Sequence, residues 1–192
     1  RTLTVTGGEF VHASPGLSGA GTFSISSTIL TQTVDYVTSA LAISATTSTF
    51  NGPGTFRNST GVTTLLFSSC VVNSAIVNDG TLRVQRSGTS SGAYTSGSGS
   101  TVKVESENNI ASTLTVASGF INNATLELTT VSGAGGSALT WSSGTLTNAT
   151  LEFYVNPSSL DREQDVFWTT TGSGDKNRFK LRLRFYSANP EA

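Results

Sequence analysis

Apolar residues recur along this chain in apolar–x–apolar triplets: Leu3–Val5, Phe23–Ile25, Leu41–Ile43, Leu65–Phe67, Leu82–Val84, Val102–Val104, Leu114–Val116, Leu126–Leu128, Leu139–Trp141 and Leu151–Phe153. Alternation with a period of two over such short runs is the signature of half-buried strands. The first residues of the early triplets stand 20, 18, 24, 17 and 20 apart, and from Val102 onward the spacings become 12, 12, 13 and 12. A coil of about 20–25 residues with two or three short strands produces both rhythms, each strand pairing with its equivalent one coil away. The expected fold is all-β, a right-handed parallel β-helix of about six or seven coils.

One stretch repeats almost verbatim. Leu114 to Leu128 and Leu139 to Phe153 both begin with Leu-Thr, pass a small-residue turn ending in Gly119 or Gly144, and finish on Asn-Ala-Thr-Leu-Glu. A fixed period of this kind marks units that bury their apolar face only by stacking. A weaker copy, Val77-Asn-Asp-Gly-Thr-Leu-Arg-Val84, precedes it. Aligning the copies places Leu82, Val102, Leu126 and Leu151 in one inward column. Glycines such as Gly52, Gly54 and Gly133 fall between triplets, where corners need positive φ. The Ser/Gly-rich run from 88 to 101 is expected to bulge from a corner as a flexible loop.

The pattern changes after Val155, so residues 1–155 read as the solenoid and 156–192 as a distinct carboxyl-terminal cap or edge-strand segment. Residues 156–167, with Asn156 and Pro157 at their start, have the composition of a short helix or turn. Residues 178–185 alternate strictly, with Phe179, Leu181, Leu183 and Phe185 on one side of a strand and Arg178, Lys180, Arg182 and Arg184 on the other. Such a basic row either keeps an edge from pairing or contacts an acidic partner, a polysaccharide or a neighbouring subunit.

Composition narrows the function classes. Ser, Thr and Gly supply 80 of 192 residues and charged residues only 12%, which suits strands and tight turns. A net charge of −1 argues against nucleic-acid binding. No apolar run approaches a membrane span. The chain lacks Met and starts at Arg1, which reads as a processed chain or fragment. The single Cys70 precludes an internal disulfide and reads as a buried small hydrophobe. With one histidine, His12, no multi-histidine metal site is possible, and no cofactor is expected.

In the repeat register the middle residues of the motif triplet run Arg83, Lys103, Glu127, Glu152. Lys103 and Glu127 should pair across one rung. Glu127 above Glu152 is a carboxylate dyad of the glycosidase type, a calcium site, or part of a solvated charge column. Three Asn-x-Ser/Thr triplets, at Asn58, Asn123 and Asn148, are glycosylation candidates; Asn123 and Asn148, one coil apart, are also placed to stack their amides at a corner. Thr-x-Thr pairs do not recur at one place in every coil, as an ice-binding face requires. Trp141, Tyr154 and Trp168 are core or sugar-stacking candidates.

The Asn-Ala-Thr-Leu and Asn-Asp-Gly-Thr-Leu units over residues 41–153 resemble the rungs of extracellular parallel β-helix proteins of the adhesin and autotransporter-passenger kind. The resemblance implies an elongated, surface-exposed structural or adhesive module, a possible homo-oligomer, with other subunits or surface polysaccharide as partners. Pectate-lyase-like and phage-depolymerase enzymes share that fold, but their clustered Asp and Arg residues are missing here. A carbohydrate-active enzyme or sugar-binding module using Glu127 and Glu152 is the alternative expectation.

Overall fold

The computed structural model describes residues 1–14, 17–143, 145–147, 150–153, 164–168 and 180–183. The chain forms two compact units, residues 1–154 and 155–192. The first is a parallel β-solenoid with three sheets. Sheet 1 stacks Thr2–Thr6, Gly21–Ser26, Leu41–Thr46, Thr63–Phe67, Thr81–Gln85, Thr101–Ser106, Thr125–Thr130 and Thr150–Phe153. Sheet 2 stacks Glu9–His12, Ile29–Gln32, Thr49–Asn51, Cys70–Val72, Ser87–Ser90, Ser112–Val116 and Ser137–Trp141. Sheet 3 stacks Tyr36–Val37, Phe56–Asn58, Ile76–Asn78, Tyr94–Ser96, Phe120–Asn122 and Leu146–Thr147. A two-strand first coil is followed by six three-sided coils.

Side chains at alternate positions of each strand point inward and meet their equivalents about 4.8 Å away in the next coil. The expected register is present: Leu82, Val102, Leu126 and Leu151 are successive Cα partners, and the first three are buried. Sheet 3 lines its inner side with Tyr36, Phe56, Ile76, Tyr94 and Phe120 in register. Sheet 2 contributes Leu30, Phe50, Val72 and Val116, and Cys70 is fully buried among them. Trp141 packs partly buried against this core.

Two expectations need correction. The 88–101 run is not a loop: Ser87–Ser90 and Tyr94–Ser96 are regular rungs of sheets 2 and 3. Gly88 sits inward between Cys70 and Leu114, and a Cβ there would lie 3.0 Å from Val84 Cγ1, so neighbouring side chains already fill the space. The triplet at Leu65 is one residue out of phase. Thr64 and Leu66 pair with Leu82 and Val84 and point inward, leaving Leu65 opposite Arg83 on the outside. Thr64 tolerates burial because its hydroxyl donates to Asn58 Oδ1 at 2.9 Å.

The corner from sheet 1 to sheet 2 shows why serine and threonine are so abundant. Each turn there uses left-handed backbone, at Gly7, Ser27, Thr47, Ser68, Arg86, Asn108 and Gly133. Just after it, a hydroxyl knits neighbouring coils. Ser48 Oγ accepts the N–H of Thr28 at 3.2 Å, Ser87 Oγ that of Ser69 at 3.1 Å, Ser112 Oγ that of Arg86 at 2.7 Å and Ser137 Oγ that of Ser106 at 2.9 Å. Several of these hydroxyls also donate back to a carbonyl, as Ser48 does to Thr46. Corner amides that the ladders leave unpaired are satisfied in this way. Thr47, at φ 48°, is a β-branched residue in a region that disfavours it. Thr47→Asn should therefore raise stability by about 1 kcal/mol, or roughly 2–4 °C in thermal midpoint. Calorimetry showing no rise would mean that the corner bears no strain.

In the second unit, Gln164–Trp168 and Lys180–Leu183 form an antiparallel pair with a bulge between Asp165 and Phe167. Residues 164–167 are thus strand, where a helix or turn was expected; the basic strand is present over 180–183. The remainder of the expected helix, and the ends of the 178–185 strand, lie outside the described residues.

Candidate functional site

The solenoid carries its chemistry on three long outer faces. On sheet 1 the charges pair between coils. Lys103 Nζ lies 2.8 Å from Glu127 Oε2, as the register implied. Arg83 reaches diagonally, donating from Nε at 3.0 Å and Nη2 at 2.7 Å to Glu105 Oε2, which also accepts from Gln85 Nε2 at 3.3 Å. The Glu105 side chain is only 8% exposed, so losing Arg83 would strand a charge away from water. Glu127 and Glu152 are Cα partners in adjacent coils, yet the Glu127 carboxylate is held by Lys103 in the coil on the opposite side from Glu152. On sheet 3, Arg57 pairs with Asp79 at 2.6 Å.

Sheet 2 is different. Its last six strands, reading Ile-Leu-Thr-Gln, Thr-Phe-Asn, Cys-Val-Val, Ser-Gly-Thr-Ser, Ser-Thr-Leu-Thr-Val and Ser-Ala-Leu-Thr-Trp, contain no charged residue. Outward positions on this sheet align as Ile29, Thr49, Val71, Thr89, Thr115 and Thr140. Beside them Ser87, Thr113 and Ala138 form a second row, and Asn73 Nδ2 donates to Asn51 Oδ1 at 2.7 Å. Small polar and aliphatic groups at rung spacing thus make a neutral face six coils long.

The glycosylation candidates sit in unlike places. Asn58 is fully buried and belongs to an internal column with Asn78, Ser96 and Asn122, which are successive Cα partners. Asn58 Nδ2 donates to Asn78 Oδ1 at 2.8 Å, and Ser96 Oγ donates to Asn122 Oδ1 at 2.6 Å. A glycan on Asn58 is incompatible with this column. The stacking residue of the Asn122–Asn123 pair is Asn122, not Asn123, which is exposed. Asn148, Arg178 and Arg184 lie outside the described residues; Glu152, Lys180 and Arg182 are strand residues, Arg182 opposite Asp165. The polar column was legible as a missed motif: the four middle strands of sheet 3 read apolar–x–polar, at Phe56-Arg-Asn58, Ile76-Val-Asn78, Tyr94-Thr-Ser96 and Phe120-Ile-Asn122.

His12, the one histidine, faces inward at 3% exposure, with its ring edge-on to Tyr36 at a centroid distance of 4.9 Å. Burial lowers its pKa from the usual 6.5 and pushes the Tyr36 hydroxyl up to about 12. Protonation of His12 therefore favours the unfolded chain. Stability should be insensitive to this residue above pH 6.5 and should fall as pH drops below that value, by at most about 1.4 kcal/mol per unit. Urea titrations at pH 7.5 and 5.5 check this, and His12→Phe should remove the part of the slope that lies just below pH 6.5.

Among the described residues no group of three His, Cys, Asp or Glu could hold a metal ion, and no helix is long and apolar enough to cross a membrane. No family model, curated protein or solved structure matches this chain.

Proposed function

We propose that this chain is a non-catalytic structural or adhesive β-solenoid module acting outside the cell, at a cell or particle surface, as a subunit or segment of a larger assembly. The observation that carries the reading is the neutral outer face of sheet 2. Covering a charged face costs desolvation unless every charge finds a partner, whereas a face of hydroxyls, amides and methyls can be covered at little penalty. The rung repeat favours a partner that is itself repetitive, a neutral surface polysaccharide or another solenoid. The resemblance of the Asn-Ala-Thr-Leu rungs to adhesin and autotransporter-passenger repeats points the same way. The row Arg178, Lys180, Arg182 and Arg184 is a second proposed contact, toward an acidic partner. A carbohydrate-active reading has one observation in its favour, the pairing of Glu127 with Glu152 across a rung.

The test charges the neutral face. Thr89→Lys with Thr115→Lys should reduce self-association in sedimentation, or retention on insoluble neutral polysaccharide, at least tenfold, while Glu127→Gln changes neither. Wild-type protein that neither self-associates nor is retained overturns the proposal. So does release of reducing sugar that Glu127→Gln abolishes, which favours the enzyme.

A further inference from the structure

The inner side of the first two coils carries polar side chains that the fold leaves unsatisfied. His12, Gln32 and Tyr36 are 3%, 0% and 2% exposed. Both ring nitrogens of His12, Nε2 of Gln32 and Oη of Tyr36 have no hydrogen-bond partner within the protein. His12 and Gln32 are Cα partners on adjacent rungs, and the His12 ring meets that of Tyr36 edge-on. Tyr36 is in turn stacked on Phe56 at 5.9 Å, so its surroundings on that side are apolar.

We propose that His12, Gln32 and Tyr36 form a buried binding site for ordered water, one or two molecules bridging the imidazole, the carboxamide and the phenol. Buried polar groups are satisfied by protein or by held water, and four unpaired atoms on three side chains of the first two coils are too many to leave bare. Their complement matches water's: Gln32 Nε2 offers two N–H donors, the neutral imidazole one donor and one acceptor, and the phenol one of each. A bound ion is disfavoured, because the only charged group on these strands, Glu9, is on the outer face, accepting from Thr31 Oγ1 at 2.6 Å. Ser74 Oγ donates to Gln32 Oε1 at 2.9 Å from two coils away. Exchanging the two ends of the carboxamide gives Ser74 the nitrogen and leaves the oxygen needing a partner, so the demand for water stands either way. The site would hold the first coil to the second through solvent, where Asn58 and Asn78 join later coils by a direct side-chain hydrogen bond.

Two measurements test this. An atomic-resolution crystal structure should show ordered density within hydrogen-bond distance of the Gln32 carboxamide and of either the His12 ring or Tyr36 Oη. Oxygen-17 relaxation dispersion should count at least one more long-lived internal water in the wild type than in Gln32→Leu or, if that variant fails to fold, in His12→Phe. Density showing a His12 ring nitrogen bonded directly to the Gln32 carboxamide, or a wild type with no long-lived water, overturns the proposal.

Discussion

Leu126→Ala should cost about 2–5 kcal/mol of folding stability. Leu126 has no exposed surface and stands between Val102 and Leu151, each one rung away, in sheet 1. Truncation loses the transfer free energy of the buried methyl groups and leaves a cavity. That cavity cannot close, because the ladders above and below fix the coil spacing at about 4.8 Å. Ile121→Ala is the comparison: Ile121 is 43% exposed on the outer side of sheet 3, and its loss should cost less than about 1 kcal/mol. Urea denaturation of both variants decides it. A near-neutral Leu126→Ala would mean that the inward column does not hold the solenoid together.

Asn58→Ala should be comparably severe, about 3–5 kcal/mol, for a different reason. Its amide nitrogen donates to Asn78 Oδ1, Thr81 O and Val62 O, and its oxygen accepts from the Thr64 hydroxyl. Removing the side chain takes the partner from Asn78 Oδ1 and from the Thr64 hydroxyl, each loss costing roughly 1–3 kcal/mol, though not additively, while Val62 O keeps the Thr81 N–H. Asn58→Asp keeps the shape but removes both donors and sets a carboxylate against Asn78 Oδ1. It should also be destabilised, more at pH 7 than at pH 4. Asn123→Ala, on the exposed neighbour of the same column, should cost far less. Equal effects at Asn58 and Asn123 would refute the internal column.

The two residues also show what could be read from the chain. Leu126 announced itself because apolar residues at a fixed place in a repeat have only one favourable direction to face. Asn58 did not, because asparagine is equally at home in a solvated turn, under a glycan or inside a ladder. Only the neighbours supplied by coils 20 residues away, Asn78 above all, decide which.

Periodicity along the chain was enough for the all-β class, the parallel stacking, the register from Leu82 to Leu151, the Lys103–Glu127 pair and the burial of Cys70. These follow from local periodicity and from a repeat that sets equivalent residues one rung apart. The tertiary structure decided the rest. Gly88 is a core position because Val84 fills the volume it leaves, and Ser90 and Ser96 are buried, so a run that looks like a linker supplies rungs of two sheets. Thr64 displaces Leu65 from the interior because Asn58 satisfies its hydroxyl. The neutral face of sheet 2 exists only once three-sided coils sort the outward residues onto separate walls. Composition gives no hint of that sorting, since the charges that the last six strands of sheet 2 lack are present on sheets 1 and 3. Local pattern governs what a strand is; which wall it joins, and what it meets there, depends on contacts a full coil away.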